Sequence, residues 1–474
     1  MGLSLMAFAC GSGETLDPLG TGGAPNLGTG GGTGAGGGGF ATGGSNSGGT
    51  SGNSGGTSAD SGGTSGNSGG QAGSGGAAGE VYNPEFVEFY GEDCTVGEPT
   101  DVNDPKLPDL FESFDGTRIS KKSDWRCRRA ELKKAVEKYL HGTKPGAPDT
   151  VTGTVTATAI NVHVEHMGKS ADFSVTVSLP AGASGPVPVV IGLGGVGGAG
   201  VGDADFGGII KEEGVATANY NHNAISSESS ASGEFVDLYG GDASAQVGWA
   251  WGISRVIDVL VAEKAAGRND IIDPTAVGVT GCSRNGKGAF TVGAFDERIA
   301  LGIPQESGTG GVSALRVVNT SPSGPNGMNA ESISAAGTAG PRWFGKVFDA
   351  YKGKVDTMPT DMHALVAMYA PRGLLVLDNS RIGELCSTCE HAASVAGGHV
   401  FTALGVEKNI EYHGGNPGDP HNHCSFYVSQ ADPLKRAIRA HLTRTEPADG
   451  RIVPAAVTMT DLDQWIDWTP PTLP

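Results

Sequence analysis

The chain has few basic residues and no long hydrophobic run. Its 474 residues include 32 lysines and arginines against 51 aspartates and glutamates, which gives a formal net charge of −19. An acidic surface repels nucleic-acid phosphates, so we expect no nucleic-acid partner. It also offers no basic face to anionic lipids. No apolar stretch reaches the roughly 18 residues that a membrane-spanning helix requires.

Lysine and arginine are absent from residues 1–80, whereas glycine is abundant there. This stretch holds 31 of the 80 glycines of the chain. Its glycines show no G-X-Y period and prolines are few, which excludes a collagen triple helix. Residues 11–80 consist mostly of glycine, serine, threonine, alanine and asparagine and bury almost nothing. We therefore predict a disordered linker that tethers the domain after it.

Residues 1–10 form a short apolar segment that ends in small residues and Cys10. The segment resembles the end of a truncated bacterial lipoprotein signal, with Cys10 as the lipidated residue and lipid anchor. An ordinary secretory signal and a chance apolar start are the alternatives. The seven cysteines fit one lipidated residue and three disulfides, which favours export. We expect a secreted protein or an outer-surface bacterial lipoprotein.

Residues 81–474 are long enough for one large α/β domain. Helical spacing of apolar residues predicts helices over 123–141 and 244–266. Residues 150–165 alternate as one edge strand would, and shorter apolar runs predict buried strands. Strands that alternate with helices indicate a mostly parallel sheet covered on both faces. The further strands are predicted at 173–179, 187–193, 214–218, 276–280, 299–304 and 373–378.

A glycine-rich turn follows the strand predicted at 187–193. Gly192, Gly194 and Gly197 match the G-x-G-x-x-G spacing of dinucleotide-binding turns. The match is weak in so glycine-rich a stretch, and no clear helix start or acidic strand end accompanies it. We therefore predict no nucleotide site and no other cofactor.

The strand predicted at 276–280 leads into a serine between glycines, Gly281-Cys-Ser283-Arg-Asn-Gly286, and then into a helical pattern. Such a turn presents a serine hydroxyl above a sheet, and the N-terminus of the next helix stabilises an oxyanion. The second glycine stands one residue later than in G-x-S-x-G. A passive serine in a glycine-rich turn is the alternative interpretation.

A serine nucleophile needs a histidine base and a carboxylate that orients it. Glu306 and Asp378 each close a predicted strand after Ser283, and His421 and His423 follow in a polar loop. The order serine, acid, histidine is that of α/β-hydrolases. A metal pair of His421 and His423 with a third ligand such as His413 is a weaker interpretation, and we predict no metal.

Several sequence blocks, which follow one another along the chain as they do in the family, resemble glucuronoyl esterases, carbohydrate esterase family 15. The resemblance covers nearly all of residues 90–445 and implies an α/β-hydrolase three-layer sandwich. It also implies hydrolysis of the ester between 4-O-methyl-D-glucuronic acid of glucuronoxylan and lignin alcohols, through an acyl-enzyme. The blocks are Gly281-Cys-Ser-Arg-Asn-Gly-Lys-Gly288, Leu107-Pro-Asp-Leu-Phe, Asp124-Trp-Arg-Cys-Arg-Arg, Asp237-Leu-Tyr-Gly, Trp249-Ala-Trp-Gly-Ile-Ser-Arg, Ile303-Pro-Gln-Glu-Ser-Gly, Ala370-Pro-Arg-Gly-Leu and His421-Asn-His-Cys.

The resemblance assigns roles to individual residues. It implies Ser283 as nucleophile, His423 as base and Glu306 as the acid, with Asp378 as a rival or helper. Arg284 resembles the residue that supports the oxyanion. The implied substrate-binding residues are Lys287, Glu331 and Trp343.

The resemblance also implies disulfides Cys282–Cys424 and Cys94–Cys127. Ala314 stands near the position where the family has a partner cysteine for a third bridge, so Cys386 and Cys389 are expected to pair locally. The tryptophan that stacks on the sugar in the family is expected near 381–384, where this chain has none.

The sequence favours an exported, monomeric serine esterase over two other functions. One is an acetyl or other carbohydrate esterase, and the other is a non-catalytic surface protein that binds carbohydrate.

Overall fold

A mixed β-sheet of nine strands forms the centre of the part of the chain that the structure describes. The computed structural model describes residues 88–89, 91, 93–196, 204–320, 330–337, 341–415, 422–453 and 461–474. All of them belong to one structural unit, Ser74–Pro474. The strands are β1 (Thr150–Val155), β2 (Ala159–His166), β3 (Lys169–Ser178), β4 (Val187–Leu193), β5 (Ala216–Tyr220), β6 (Ile272–Cys282), β7 (Ile299–Gln305), β8 (Gly373–Leu377) and β9 (Ile410–His413).

The strand order is β1-β2-β3-β5-β4-β6-β7-β8-β9. Strands β1, β2 and β3 are antiparallel neighbours, and β3 is also antiparallel to β5. From β5 to β9 every pair of neighbours is parallel. The carboxyl ends of β6, β7, β8 and β9 therefore meet at one edge of the sheet, where ligands bind in open α/β folds.

Helices cover both faces of the sheet, as the alternating sequence pattern predicts. In β8, Leu374 and Val376 belong to one apolar core, while Leu375 and Leu377 belong to the other. Helices α2 and α10 pack on the second core, and α5, α6 and α9 pack on the first. The three-layer α/β-hydrolase sandwich is confirmed. The helices are α1 (Trp125–Val136), α2 (Ala204–Glu212), α3 (His222–Ile225), α4 (Glu234–Tyr239), α5 (Ala245–Ala265), α6 (Arg284–Phe295), α7 (Leu315–Thr320), α8 (Met362–Met368), α9 (Ser387–Leu404) and α10 (Val428–His441).

The prediction of one edge strand over 150–165 was wrong, because this region is a hairpin of β1 and β2. Thr156 makes the turn without glycine or proline. Its Oγ1 atom accepts a hydrogen bond from the amide of Ala159 at 3.0 Å, and its own amide donates to the Ala159 carbonyl at 2.8 Å. A threonine side chain thus replaces the usual turn residues.

Two further expectations need correction. The strand predicted at 214–218 is β5, two residues later, because Gly214 is in a left-handed turn that ends the preceding segment. A helix, α2, does follow the glycine-rich turn after β4. The strand predicted at 187–193 is present with the same ends as β4. The remaining predicted strands and both predicted helices are present with shifted ends, and the first helix ends in a short π-helix, Glu137–His141.

Several expectations fall on residues that the structure does not describe. Cys10, the linker at 11–80, Gly197 and His421 lie outside the described residues. Glu88 is the first described residue, and its buried carboxylate pairs with Lys144 and Arg255. Among the described helices, none is both long and apolar enough to cross a bilayer.

Candidate active site

Ser283 lies at the junction of β6 and α6 in a backbone conformation that is unusual for a serine. Its φ and ψ angles are 58° and −126°. Its amide donates to the Gln305 carbonyl at the end of β7, at 2.9 Å. Glu306 (φ 45°) and Cys424 (φ 62°) are also in the left-handed region. Such strained backbone concentrates where the surrounding structure holds functional groups in place.

The glycines on either side of Ser283 are required by close backbone approach. A Cβ atom on Gly281 would lie 2.5 Å from the carbonyl oxygen of Asn285, and one on Gly286 would lie 2.4 Å from that of Gln305. Real side chains do not tolerate such distances to backbone atoms. The sharp strand-to-helix turn therefore depends on these two glycines, although their spacing departs from G-x-S-x-G.

A disulfide joins the serine turn to the histidine loop. Cys282 and Cys424 are bonded, with their Cα atoms 5.6 Å apart. Ser283 follows the first cysteine and His423 precedes the second, so the bridge holds these two residues near each other. The expected Cys94–Cys127 pair is also bonded, as is the local Cys386–Cys389 pair. The amide of Ala314 donates to the Cys389 carbonyl at 3.1 Å, so position 314 indeed lies against this pair.

Glu306 holds His423 through a short hydrogen bond. Nδ1 of His423 lies 2.6 Å from Oε2 of Glu306, which also accepts the amide of Cys424 at 2.8 Å. The side chain of Glu306 is 3% exposed, whereas that of His423 is 43% exposed. A buried carboxylate on Nδ1 favours the tautomer in which Nε2 is free to accept a proton.

Asp378 lies at the end of β8 but makes different contacts. Its Oδ2 atom accepts a hydrogen bond from the Tyr412 hydroxyl at 2.7 Å, and Oδ1 accepts the amide of Asn379 at 2.6 Å. Burial raises the pKa of this carboxyl, and the nearby charge of Glu306 raises it further. His423 is therefore hydrogen-bonded to Glu306, whereas Asp378 is hydrogen-bonded to Tyr412.

The expected substrate-binding residues lie together beside α6. The Nζ atom of Lys287 lies 2.6 Å from Oε2 of Glu331, donates to the Ser307 carbonyl at 2.6 Å, and is 4.3 Å from the centre of the Trp343 ring. The amide of Glu331 donates to the Glu384 carbonyl at 3.0 Å. The segment at 381–384, which lacks the expected tryptophan, therefore borders this cluster.

Arg284 directly follows Ser283 and pairs with Glu228, a residue that no sequence motif indicates. Its Nη1 atom donates to Oε1 of Glu228 at 2.7 Å. The other carboxylate oxygen of Glu228 accepts the indole N–H of Trp343 at 3.0 Å. Glu228 lies in a serine-rich loop, where no spacing or motif distinguishes it. The fold alone brings it to the site, from 56 residues before Arg284.

Two more polar residues that no sequence motif indicates, Asn379 and Glu390, contact Glu306 and the turn that follows it. The side-chain amide of Asn379 donates to Oε1 of Glu306 at 3.3 Å. Oε1 of the buried Glu390 accepts the Ser307 hydroxyl at 2.9 Å and the Gly308 amide at 2.6 Å. Burial raises the pKa of Glu390 well above its ordinary value. These contacts fix the turn that follows Glu306.

The donors around His423 fit a hydrolytic triad better than a metal centre. Cys282, Glu306, His423 and Cys424 place one ligand-type atom each within 4.8 Å of one another. The two sulfurs are bonded to each other and therefore offer no thiolate. His423 uses Nδ1 on Glu306, and His413 accepts the Gly415 amide on its Nδ1 at 3.3 Å.

A family model described as glucuronyl esterase, fungi, matches residues 162–405. The 4-O-methyl-glucuronoyl methylesterase of Hypocrea jecorina is 37% identical over 398 residues, which cover 81% of this chain and 80% of that protein. The chain belongs to the glucuronoyl esterase family. It is accordingly a carboxylic ester hydrolase with the α/β-hydrolase fold that the sequence motifs predict.

Solved glucuronoyl esterase structures share this fold. The catalytic domain from Hypocrea jecorina superposes with a TM-score of 0.70 at 35% identity, covering 80% of this chain and 99% of that one. A serine-to-alanine mutant of the Sporotrichum thermophile enzyme, in complex with methyl 4-O-methyl-β-D-glucopyranuronate, gives the same TM-score and identity and is covered completely. A family 15 enzyme from Caldicellulosiruptor kristjansonii matches with a TM-score of 0.66 at 27% identity.

Proposed function

We propose that this glucuronoyl esterase hydrolyses the ester between 4-O-methyl-D-glucuronic acid of glucuronoxylan and lignin alcohols. The observation that carries the proposal is the short hydrogen bond between His423 and Glu306. His423 directly precedes Cys424, whose disulfide with Cys282 joins the histidine loop to the Ser283 turn. The Sporotrichum relative in complex with a methyl 4-O-methyl-glucuronate supports the choice of substrate class.

In the proposed mechanism, the hydroxyl of Ser283 attacks the ester carbonyl and passes its proton to Nε2 of His423. Glu306 holds Nδ1 and stabilises the imidazolium that forms. The carbonyl oxygen becomes an oxyanion, and the backbone N–H and guanidinium of Arg284 stabilise its charge. His423 returns the proton to the leaving alcohol. Water then attacks the acyl-enzyme by the same route, releasing the uronic acid and restoring Ser283.

The sugar binds through the cluster of Lys287, Glu331 and Trp343. The ammonium and the carboxylate offer a donor and an acceptor to sugar hydroxyls, and the indole offers an apolar surface. Because the segment at 381–384 carries no tryptophan, we infer weaker stacking on the sugar than the family pattern implies.

Outside the described residues, we propose a lipid-anchored arrangement on the outer surface of a bacterium. In it, residues 1–10 belong to a lipoprotein signal, Cys10 carries the lipid, and residues 11–80 tether the catalytic domain 81–474. Three disulfides among the described residues fit an oxidising compartment. Expression of the chain behind a complete signal, with labelled palmitate, should label the protein but not Cys10→Ala. Unlabelled protein in the medium would support simple secretion instead.

The esterase proposal is tested with benzyl D-glucuronate and acetylated xylan as alternative substrates. We expect release of benzyl alcohol by the wild type and by Ser184→Ala, which replaces an exposed serine in the loop before β4, and none above background by Ser283→Ala. Faster release of acetate than of benzyl alcohol would select an acetyl esterase. Binding of xylan fragments without hydrolysis of either substrate would select a carbohydrate-binding protein.

A further inference from the structure

Each of the two cations at the start of α6 has its own carboxylate partner. Arg284 pairs with Glu228 at 2.7 Å, and Lys287 pairs with Glu331 at 2.6 Å. Cations near a helix N-terminus are unfavourable to the helix dipole, so carboxylates beside them relieve a local excess of positive charge. The site therefore presents several hydrogen-bond donors with little uncompensated positive charge at these positions.

Glu228 is held rigidly in this position. Its own amide donates to the side chain of Asn223 at 3.3 Å, and its carbonyl accepts the amide of Arg342 at 2.8 Å. The guanidinium of Arg342 donates to the carbonyls of Ser227 and Ser230 at 3.0 and 3.1 Å. The carboxylate is thus fixed from the backbone side and by the indole of Trp343. The carboxylate of Glu228 is thus a fixed counter-charge for Arg284, whose side chain is 54% exposed.

The charge of the bound molecule changes during the reaction. The ester is neutral at its carboxyl group, while hydrolysis adds water across the acyl bond and yields a carboxylic acid. With an ordinary carboxyl pKa, the acid loses its proton to solvent and carries one negative charge at neutral pH. The carboxylate forms at the carbon that Ser283 attacked, beside the residue that follows Ser283. An unpaired arginine there would bind this product tightly through two parallel hydrogen bonds.

We propose that Glu228, assisted by Glu331, lowers the affinity of the site for the anionic product relative to the neutral ester. In this role Glu228 is a specificity-determining residue that acts through Arg284 and is not a catalytic residue. Glu228 occupies an N–H group on Nη1 of Arg284. The other N–H groups of the guanidinium remain available for an oxyanion in the transition state, while the carboxylate offsets the attraction of the arginine for a permanent anion. This inference rests on the proposed function, because it takes the uronate ester as substrate.

The test measures binding by calorimetry in the Ser283→Ala background, where no turnover intervenes. The two ligands are sodium 4-O-methyl-D-glucuronate and its neutral methyl ester, and the quantity compared is the ratio of their Kd values, acid over ester. We expect the acid to bind more weakly than the ester. Glu228→Gln should lower the ratio about fivefold, the upper range for a half-exposed ion pair, while Glu228→Asp should restore most of it. The effect of Glu228→Gln should shrink as salt is added.

The control is Asp237→Asn, which removes one negative charge from an exposed position on α4 and should leave the ratio unchanged. Glu331→Gln provides a second variant and should lower the ratio in the same direction. Equal weakening of both ligands by Glu228→Gln and Glu331→Gln would mean a purely structural role and would overturn the inference. Tighter binding of the acid than of the ester by Ser283→Ala alone would overturn it without any glutamate variant.

A parallel turnover assay with the wild type distinguishes failure of the inference about Glu228 from failure of the proposed function. Hydrolysis of the uronate ester together with unchanged binding ratios would refute the inference and leave the proposed function standing. Absence of both hydrolysis and binding would refute the proposed function, and the inference with it.

Discussion

Replacement of Glu306 by glutamine gives the sharpest test of the triad, because three hydrogen-bond donors surround this carboxylate. His423 Nδ1 and the Cys424 amide donate to Oε2, and the Asn379 side chain donates to Oε1. The oxygen of the Asn379 side chain accepts the Arg381 amide at 3.1 Å, which fixes the direction of the asparagine amide. The NH₂ group of a glutamine must therefore face a donor in either orientation.

Either orientation lowers the rate of acylation. With its NH₂ group toward His423, glutamine favours the tautomer that cannot take the proton of Ser283. With its oxygen toward His423, it keeps the tautomer but no longer stabilises the imidazolium by charge. A serine protease whose triad aspartate is replaced by asparagine loses about 10⁴-fold in kcat. We expect Glu306→Gln to lose about 10³- to 10⁴-fold in kcat, or about 4 to 5.5 kcal/mol of transition-state stabilisation, with KM nearly unchanged.

The assay follows benzyl alcohol released from benzyl D-glucuronate, with Asp378→Asn as the matched acid-to-amide variant. Asp378 contacts Tyr412 and its own backbone neighbour, so this variant should lose less than about tenfold in kcat. Retention of more than about a tenth of kcat by Glu306→Gln, together with a large loss in Asp378→Asn, would refute the assignment of the acid.

Three further predictions follow from the same structure. Gly281→Ala should abolish soluble folded protein or lower the free energy of unfolding by about 3 kcal/mol or more. The control is Gly146→Ala, where a Cβ atom meets nothing within 4 Å, and it should unfold in urea like the wild type. Equal urea midpoints for the two variants would contradict the close backbone approach at Gly281. Lys287→Ala should lower kcat/KM for benzyl glucuronate about 10- to 100-fold by removing a charged hydrogen-bond donor, and an unchanged value would place the sugar elsewhere. Burial raises the pKa of Glu390 well above its ordinary value of 4.5, so the folded state retains a proton that the unfolded state releases, and the free energy of unfolding should fall as pH rises from 4.5 towards the raised pKa. The melting temperature, measured across this pH range, should fall less steeply with pH for Glu390→Gln than for the wild type. An identical pH dependence in the two proteins would contradict the burial of this carboxyl.

The serine turn and the position of Glu306 at a strand end were predictable from the sequence because local patterns determine them. The apolar run before Gly281 predicts a buried strand, and the two glycines mark a turn that few other residues permit. Glu306 closes the next predicted strand, and parallel strands bring their carboxyl ends together. Chain order and strand ends did not decide between Glu306 and Asp378 as the partner of the histidine, because the two carboxylates differ only in the direction of their side chains.

Features that depend on distant contacts were not predictable in the same way. Glu228 meets Arg284 and Trp343 across 56 and 115 residues, and nothing in its own serine-rich loop indicates either partner. The β1–β2 hairpin was missed for a local reason, since Thr156 builds the turn with its hydroxyl inside an unbroken alternating pattern. Hydrophobic periodicity locates strands well but does not detect a side chain that replaces a turn residue.

The Cys282–Cys424 bridge closes a loop with a sequence separation of 142 residues, and this affects how the protein survives proteases. A single cleavage of the chain between the two cysteines leaves Ser283 and His423 in one covalently connected molecule. Glu306 lies inside the same loop and is further held by His423 Nδ1 and the Cys424 amide. One cut in an exposed loop therefore cannot separate the segment that carries Ser283 from the one that carries His423, whereas a reductant combined with one cut can.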